Sequence, residues 1–254
     1  MQIVSLITDY GLTDTYLAEL KAGILSRCKD IFFLDICHQV DINEITSAAY
    51  LLKNMLPLLP ESSINLVSIN NYYKPNPAYL VFNHESKYFV GPDNGIFSLV
   101  FDNLDLVYAI DTEKIDSRNV NEIYSHAIAC INHELHMEEF AVKIDEIYKR
   151  LAFRPVVNSS QIRASIIHVD HFGNVITNIT KETFEKVRAN RSFSIYFKPN
   201  DPLHHVCKAY SDVSVGEVLG LFNQSGNLEI AINCGNASNI LHLYKNETIQ
   251  IDFY

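Results

Sequence analysis

A chain of 254 residues, 48% hydrophobic and 20% charged, holds enough apolar material for one large or two modest domains with full cores. Its net charge of −10 at pH 7 argues against nucleic acid as a partner, because phosphate binding draws on Lys and Arg. Nine Gly and eight Pro exclude collagen-like or Pro/Gly-rich disordered chains, and the apolar runs are too short to span a bilayer.

Residues 1–8 are apolar but brief, lack a basic lead and meet Asp9 at once, so they read as a first strand and not as a secretory signal. Asp14 offers an N-cap, and Leu17, Leu20, Ile24 and Cys28 follow at helical spacing. Residues 31–37 form a second buried strand. Asp41 or Asn43 caps a second helix that runs to about Leu56, where Pro57 and Pro60 stop it. A third strand covers 64–69, and 79–82 with 87–90 suggest a hairpin. The dense turn Gly91-Pro92-Asp93-Asn94-Gly95 precedes a short apolar helix over 96–101. Residues 106–110 form another strand. Phe140, Ile144, Ile147 and Leu151 then mark an amphipathic helix at 4-3-4 spacing.

This alternation predicts an α/β domain over 1–152, a mostly parallel sheet flanked by helices. A linker around Pro155 and Asn158-Ser159-Ser160 leads to a smaller domain over 161–254. There the β-rich runs 162–169, 175–179, 192–197, 218–222, 228–232 and 248–253, with one helix over 181–187, predict an antiparallel β-barrel-like fold. The five cysteines (Cys28, Cys37, Cys130, Cys207 and Cys234) never form a Cys-x-x-Cys pair, and read as small buried hydrophobes in a reducing, cytoplasmic compartment.

Two stretches carry chemistry. Thr8-Asp9-Tyr10-Gly11-Leu12-Thr13-Asp14 lies where the first strand gives way to the first helix, the usual ligand position of an open α/β sheet. A carboxylate there can accept hydrogen bonds from both hydroxyls of a ribose diol; the alternative is a plain turn at Asp9 and a cap at Asp14. Asp170-His171-Phe172-Gly173-Asn174 sits between two strands and combines a carboxylate for an ammonium group, an aromatic face and an amide that can read a purine edge. Its alternative is a hairpin turn with Gly173 at positive φ. His133 and His136, at i and i+3, could share a helix face, but His-Glu-Leu-His is not the zinc-protease pattern, and the reading is a solvated polar face with no metal. Gly-x-Gly-x-x-Gly, Walker and Gly-x-Ser-x-Gly motifs are all missing.

Taken in order, these motifs resemble a known family. Thr8-Asp9-Tyr10-Gly11 with Asp14, Tyr16 and Lys21-Ala22-Gly23-Ile24 is similar to the opening of the S-adenosyl-L-methionine hydroxide adenosyltransferases, the adenosine-forming S-adenosylmethionine hydrolases related to fluorinase and chlorinase. Asp35-Ile36-Cys37-His38, the Gly91–Gly95 turn, the stretch from Asp170 to Ile179, and Gly226-Asn227-Leu228-Glu229-Ile230-Ala231 continue the match. The resemblance implies a homotrimer that binds S-adenosylmethionine or adenosine between the first domain of one subunit and the second of its neighbour, with no cofactor. It implies ribose hydroxyls on Asp9, pocket-wall support from Asp14, the methionine ammonium on Asp170, the adenine edge on Asn174 and ring stacking on Tyr210; Phe172 lines the same site.

The chain departs from that pattern at the reaction centre. Where the family's third strand ends in Asp-Pro-Gly-Val-Gly with an Arg soon after, this chain has Asn70-Asn71-Tyr72-Tyr73-Lys74-Pro75-Asn76-Pro77, and the stretch matching the family's His offers Asn119. Asn70 and Asn119 are therefore the catalytic candidates, able to orient water but not to take its proton. The resulting expectation is a hydrolase-like protein that forms adenosine and L-methionine. The alternative is a catalytically impaired S-adenosylmethionine or adenosine binder on the same fold. A halide nucleophile is disfavoured, because no extra loop like that of the fluorinase precedes the Gly91–Gly95 turn.

Overall fold

A computed structural model of the chain describes residues 1–115, 118–151, 154–198 and 201–254. They fall into two compact units, Met1–Leu151 and Ala152–Tyr254. Among the described residues no helix is long and apolar enough to cross a membrane.

The first unit is a seven-stranded mixed sheet. In chain order it contains β1 (Gln2–Thr8), α1 (Tyr16–Leu25), β2 (Ile31–Cys37), α2 (Ile45–Met55), β3 (Ile64–Ser68), β4 (Tyr79–His84), β5 (Lys87–Pro92), α3 (Ile96–Val100), β6 (Val107–Ile110), α4 (Val120–Asn132), α5 (Met137–Phe140) and β7 (Ala141–Ile144). The sheet order is β2-β1-β3-β5-β4-β6-β7. Strands β2, β1, β3 and β5 pair in parallel, whereas β4 runs antiparallel to both β5 and β6, and β7 antiparallel to β6. Alternation along buried strands feeds two cores. Leu6 and Leu66 face α1 and α4 residues such as Leu20, Ile24, Tyr124 and Ile128, while Ile7 and Val67 join Leu52, Phe89 and Phe97 on the other side.

The second unit pairs its named strands antiparallel in every case. It contains β8 (Val156–Val157), β9 (Gln161–Val169), β10 (Val175–Thr180), α6 (Lys181–Arg188), β11 (Phe193–Tyr196), β12 (Val218–Phe222), β13 (Asn227–Ile232), α7 (Ala237–Leu241) and β14 (Thr248–Phe253). The order β11-β14-β9-β10-β13-β12, with β8 added beside β9, packs around a main core of Ile162, Phe184, Ile230, Ile251 and their neighbours. The predicted α/β and β architectures are both present.

Several local expectations are corrected. The helix expected through Phe140, Ile144, Ile147 and Leu151 does not form: Phe140 ends α5 and residues 141–144 are strand β7. The open edge of β6 offers backbone partners to that segment, and four ladder pairs outweigh a helical spacing of apolar residues. Asp14 is not the cap of α1, because Thr15 holds that position, and its hydroxyl donates to Glu19 Oε1 at 2.7 Å. Neither Asp41 nor Asn43 sits at the start of α2; Glu44 does, and Asn43 is left-handed at φ +68°. His133 follows α4 as its C-cap and His136 precedes α5, so the two share no helix face. Of the five free cysteines, Cys28 and Cys130 are buried, but Cys234 is exposed.

Candidate functional site

The carboxyl ends of β1 and β3 and the start of α4 surround an open cleft of about 750 Å³ in the first unit. Asp9, Asp14, Asn70 and Asn119, named separately from the sequence, all line it, together with Tyr10 and Asn121. Asp9 is the first residue after β1, and its Oδ2 accepts the Asn70 backbone N–H at 2.9 Å. Asn70 takes φ +47° to turn that N–H inward, a conformation asparagine tolerates better than most side chains. The buried Asn94, from the Gly91–Gly95 turn, donates to Ile69 O at 2.8 Å and holds the loop from behind. The turn is therefore architecture that sets the Asp9–Asn70 contact.

Burial raises the Asp9 pKa, opposed by N–H groups of Asn70 and of Asp9 itself. A carboxyl above its ordinary 3.8 is harder to ionise in the folded chain, so its ionisation subtracts from stability at neutral pH and subtracts nothing below that value. Asp9→Asn keeps an acceptor for Asn70 and removes the charge. In thermal melts across pH, this variant is expected to be more stable than the parent at pH 7, with the gain vanishing below about pH 4. A constant difference at all pH values would refute the assignment.

Below the cleft runs a chain of hydrogen bonds that sequence reading missed. Tyr124 donates its hydroxyl to Asn71 Oδ1 (2.6 Å), Asn71 Nδ2 donates to Ser68 Oγ (2.9 Å), Ser68 to the Tyr10 hydroxyl (2.8 Å), and Tyr10 to Asn121 Oδ1 (2.7 Å). It links β3, the loop after β1 and helix α4, whose N-cap Asn119 accepts the Asn121 N–H at 2.9 Å. Burial pushes the Tyr10 phenol up to about 12 and that of Tyr124 well above its usual value, so both stay protonated donors. The signal was present in the sequence: Val120, Ile123, Tyr124, Ala127, Ile128 and Ile131 repeat at helical spacing behind Asn119. Tyr124→Phe leaves Asn71 Oδ1 without its buried donor, and a cost of about 1–2 kcal/mol is expected in urea denaturation.

Two hydrogen bonds brace the entry loop. Gly11 N donates to His38 O at 2.7 Å, and the Thr8 hydroxyl and His38 Nδ1 lie 3.0 Å apart. Next to them, Lys21 Nζ is 2.7 Å from Asp35 Oδ2. These contacts explain the Asp35-Ile36-Cys37-His38 motif as a brace. Among the described residues the cleft lining holds the carboxylates of Asp9, Asp14 and Glu19 and no Lys, Arg or His, which suits a cationic ligand rich in hydroxyls.

In the second unit, Asp170–Asn174 forms the turn between β9 and β10. Asp170 Oδ1 accepts the N–H groups of Phe172 (2.9 Å) and Asn174 (2.8 Å), and Oδ2 accepts Asn174 Nδ2 (2.9 Å). Phe172 is exposed, Asn174 is buried and Gly173 has φ +82°. Tyr210, on a single 3₁₀ turn at Tyr210–Asp212, donates its hydroxyl to Glu229 Oε1 at 2.6 Å. Glu229, in mid-strand on β13, is buried; burial raises its pKa, the Tyr210 hydroxyl lowers it and the Asp170 charge raises it again. Thus Tyr210 and Glu229 form one hydrogen-bonded pair that feels the Asp170 charge. Glu229 was overlooked as a site residue, although a carboxylate inside Leu-Glu-Ile-Ala-Ile is the kind of buried charge that needs a partner. Among the described residues no three His, Cys, Asp or Glu side chains are placed to hold a metal ion.

Comparison with known proteins covers both units. The (R)-S-adenosyl-L-methionine hydrolase of Methanocaldococcus jannaschii is 29% identical, over 99% of this chain and 96% of that protein. The fluorinase of Nocardia brasiliensis is 21% identical over 73% of each chain. A crystal structure of a conserved protein from Thermotoga maritima superposes with a TM-score of 0.86 at 27% identity, covering 99% of this chain and all of that one. Residues 4–140 match the N-terminal domain of the SAM hydroxide adenosyltransferases and residues 164–250 the C-terminal domain. With both domains matched in order along nearly its whole length, the chain belongs to the SAM hydroxide adenosyltransferase family.

Proposed function

We propose that the protein hydrolyses S-adenosyl-L-methionine to adenosine and L-methionine. The observation that carries this reading is the cleft beside Asp9: a fixed, partly desolvated carboxylate in a lining that, among the described residues, contains acidic and neutral side chains but no cation. A sulfonium nucleoside has the matching chemistry, a positive centre next to a ribose diol. Asp9 holds the two ribose hydroxyls and Asp14 supports the wall. Asp170 receives the methionine ammonium, Asn174 meets the adenine edge, and Phe172 and Tyr210 supply aromatic surface.

In the reaction the oxygen of water attacks the ribose 5′ carbon as the C5′–S bond breaks. The bond's electron pair returns to sulfur, methionine leaves as a neutral thioether, and the proton of the attacking water is released. Sulfonium is already a good leaving group, so the work consists of aligning water and substrate and needs no cofactor. Asn70 and Asn119 orient the water. The working assembly in this reading is a cytoplasmic homotrimer whose ligand lies between subunits, with neither nucleic acid nor membrane as a partner.

A second reading is favoured by one observation. The orienting positions hold amides, and the Asn119 side chain is engaged in capping α4, so the protein binds the same ligand with turnover impaired. Mass-spectrometric analysis of purified protein incubated with S-adenosylmethionine separates the two. Adenosine plus methionine from the parent, absent with Asp9→Ala, supports hydrolysis. Intact ligand recovered on the parent with no product supports the binder and refutes the enzyme.

A further inference from the structure

The segment around Tyr210 covers the face of β12 and β13 opposite the main core of the second unit. On that face Leu219, Leu221 and Ala231 pack against Cys207 and Val213, and Cys207 N donates to Gly220 O at 2.8 Å. Asp212 Oδ2 accepts the N–H groups of Lys208 and Ala209 at 2.7 and 3.1 Å, which closes the segment into a compact loop. Tyr210 stands on this loop with 43% of its surface exposed. Its hydroxyl points the other way, onto a carboxyl that is only 3% exposed.

Glu229 pairs with Leu221 on β12 and Ile176 on β10, neither of which can satisfy a carboxylate. Its partners are the Tyr210 hydroxyl and the side chain of Asn223 at the β12–β13 turn, with the Asp170 charge close enough to act on it. A buried carboxylate in mid-strand is costly, and an apolar residue would fill the position more cheaply. What the carboxylate adds is one short, charge-assisted bond that fixes a half-exposed aromatic ring at its far end.

We infer that Glu229 is a positioning residue: it holds the Tyr210 hydroxyl so that the ring presents a fixed face to a flat heteroaromatic group of the ligand. The inference rests on the ligand reading above, in which Tyr210 stacks on adenine. A ring tethered at Cζ cannot swing about its side-chain torsions, so the stacking surface exists before the ligand arrives and no ordering cost is met on binding. Phenylalanine in its place keeps the surface but loses the tether.

The test measures binding of adenosine and, separately, of L-methionine by calorimetry on the full chain. Tyr210→Ala is expected to weaken adenosine about tenfold or more, the usual scale of base stacking on an aromatic ring, and to leave methionine unchanged. Glu229→Ala weakens adenosine roughly threefold to tenfold, also without effect on methionine. Glu229→Gln, which keeps an acceptor and guards against misfolding of the alanine variant, stays within about twofold of the parent. Tyr210→Phe matches Glu229→Ala, and the double variant is no worse than either alone. Full additivity in the double variant, or equal losses for adenosine and methionine with Glu229→Ala, overturns the positioning role alone. Undiminished adenosine binding by Tyr210→Ala overturns the stacking site on which it rests.

Discussion

Asp9→Ala is expected to lower affinity for S-adenosylmethionine by about a hundredfold or more, the largest effect of any single substitution in the first unit. In the proposed reading each hydroxyl of the ribose diol donates to a carboxylate oxygen of Asp9, and such bonds contribute about 1.5–3 kcal/mol each. The Asn70 N–H occupies one direction on Oδ2 and fixes the carboxylate plane, so the remaining lone pairs are aimed before the ligand binds. Asp14 lines the same cleft but is exposed, so a bond to it is weakened by water. Asp9→Asn, with one acceptor oxygen and a smaller dipole, falls between the two. Calorimetry with S-adenosylmethionine reads the effect whether or not turnover occurs. Affinity within threefold of the parent would make Asp9 a turn residue only.

Gly173→Ala is expected to cost about 2–4 kcal/mol of stability and to weaken ligand binding with it. At φ +82° any Cβ is strained, which contributes about 1–2 kcal/mol. The added methyl would also overlap the side-chain amide of Asn236, the N-cap whose Oδ1 accepts the Asn239 N–H at 2.8 Å and starts α7. Losing a cap costs about 1 kcal/mol more. Gly173 O meanwhile accepts the Ser238 N–H at 2.8 Å, so the turn that shapes Asp170 and the start of α7 move as one body. Urea denaturation checks the magnitude. Combining the change with Asn236→Gly removes the overlap and is expected to recover part of the loss; a double variant as unstable as the two losses summed would refute the steric account.

How far the sequence foretold the molecule depended on whether a segment's signal was local. Ile64–Ser68 is a buried run and Thr248–Phe253 alternates polar with apolar residues, and both form where the pattern places them. The segment after Phe140 failed because its state is decided at a distance. Only the free edge of β6 makes a strand of Ala141–Ile144, and nothing in the local spacing reports that edge. Helix α4 is the opposite case: it was not expected, although its apolar spacing is local, and its N-cap is Asn119, the position that the family resemblance marks for catalysis.

For the site, motif order named side chains that the first unit gathers in one cleft: Asp9, Asp14, Asn70 and Asn119. It did not name the groups that hold them. Ser68, Asn71 and Tyr124 lie on different elements, and their hydrogen bonds exist only once β3 and α4 are packed together. Glu229 was within the quoted motif, yet its meaning depends on a tyrosine 19 residues away.

The row of bonds beneath the cleft has a built-in polarity. Hydroxyls and amides can in principle be ordered either way along such a row, as water molecules can in ice, and a reversal requires both amides to rotate together. Here one end is tied. Asn121 Nδ2 faces the carbonyl of Tyr16 at 3.4 Å, an atom that can only accept, so the amide oxygen must turn toward Tyr10. That single choice propagates back through Tyr10, Ser68 and Asn71 to Tyr124. The order of the row is thus set at the start of α4, and each of Tyr10, Ser68 and Asn71 keeps one donor–acceptor sense beneath the cleft.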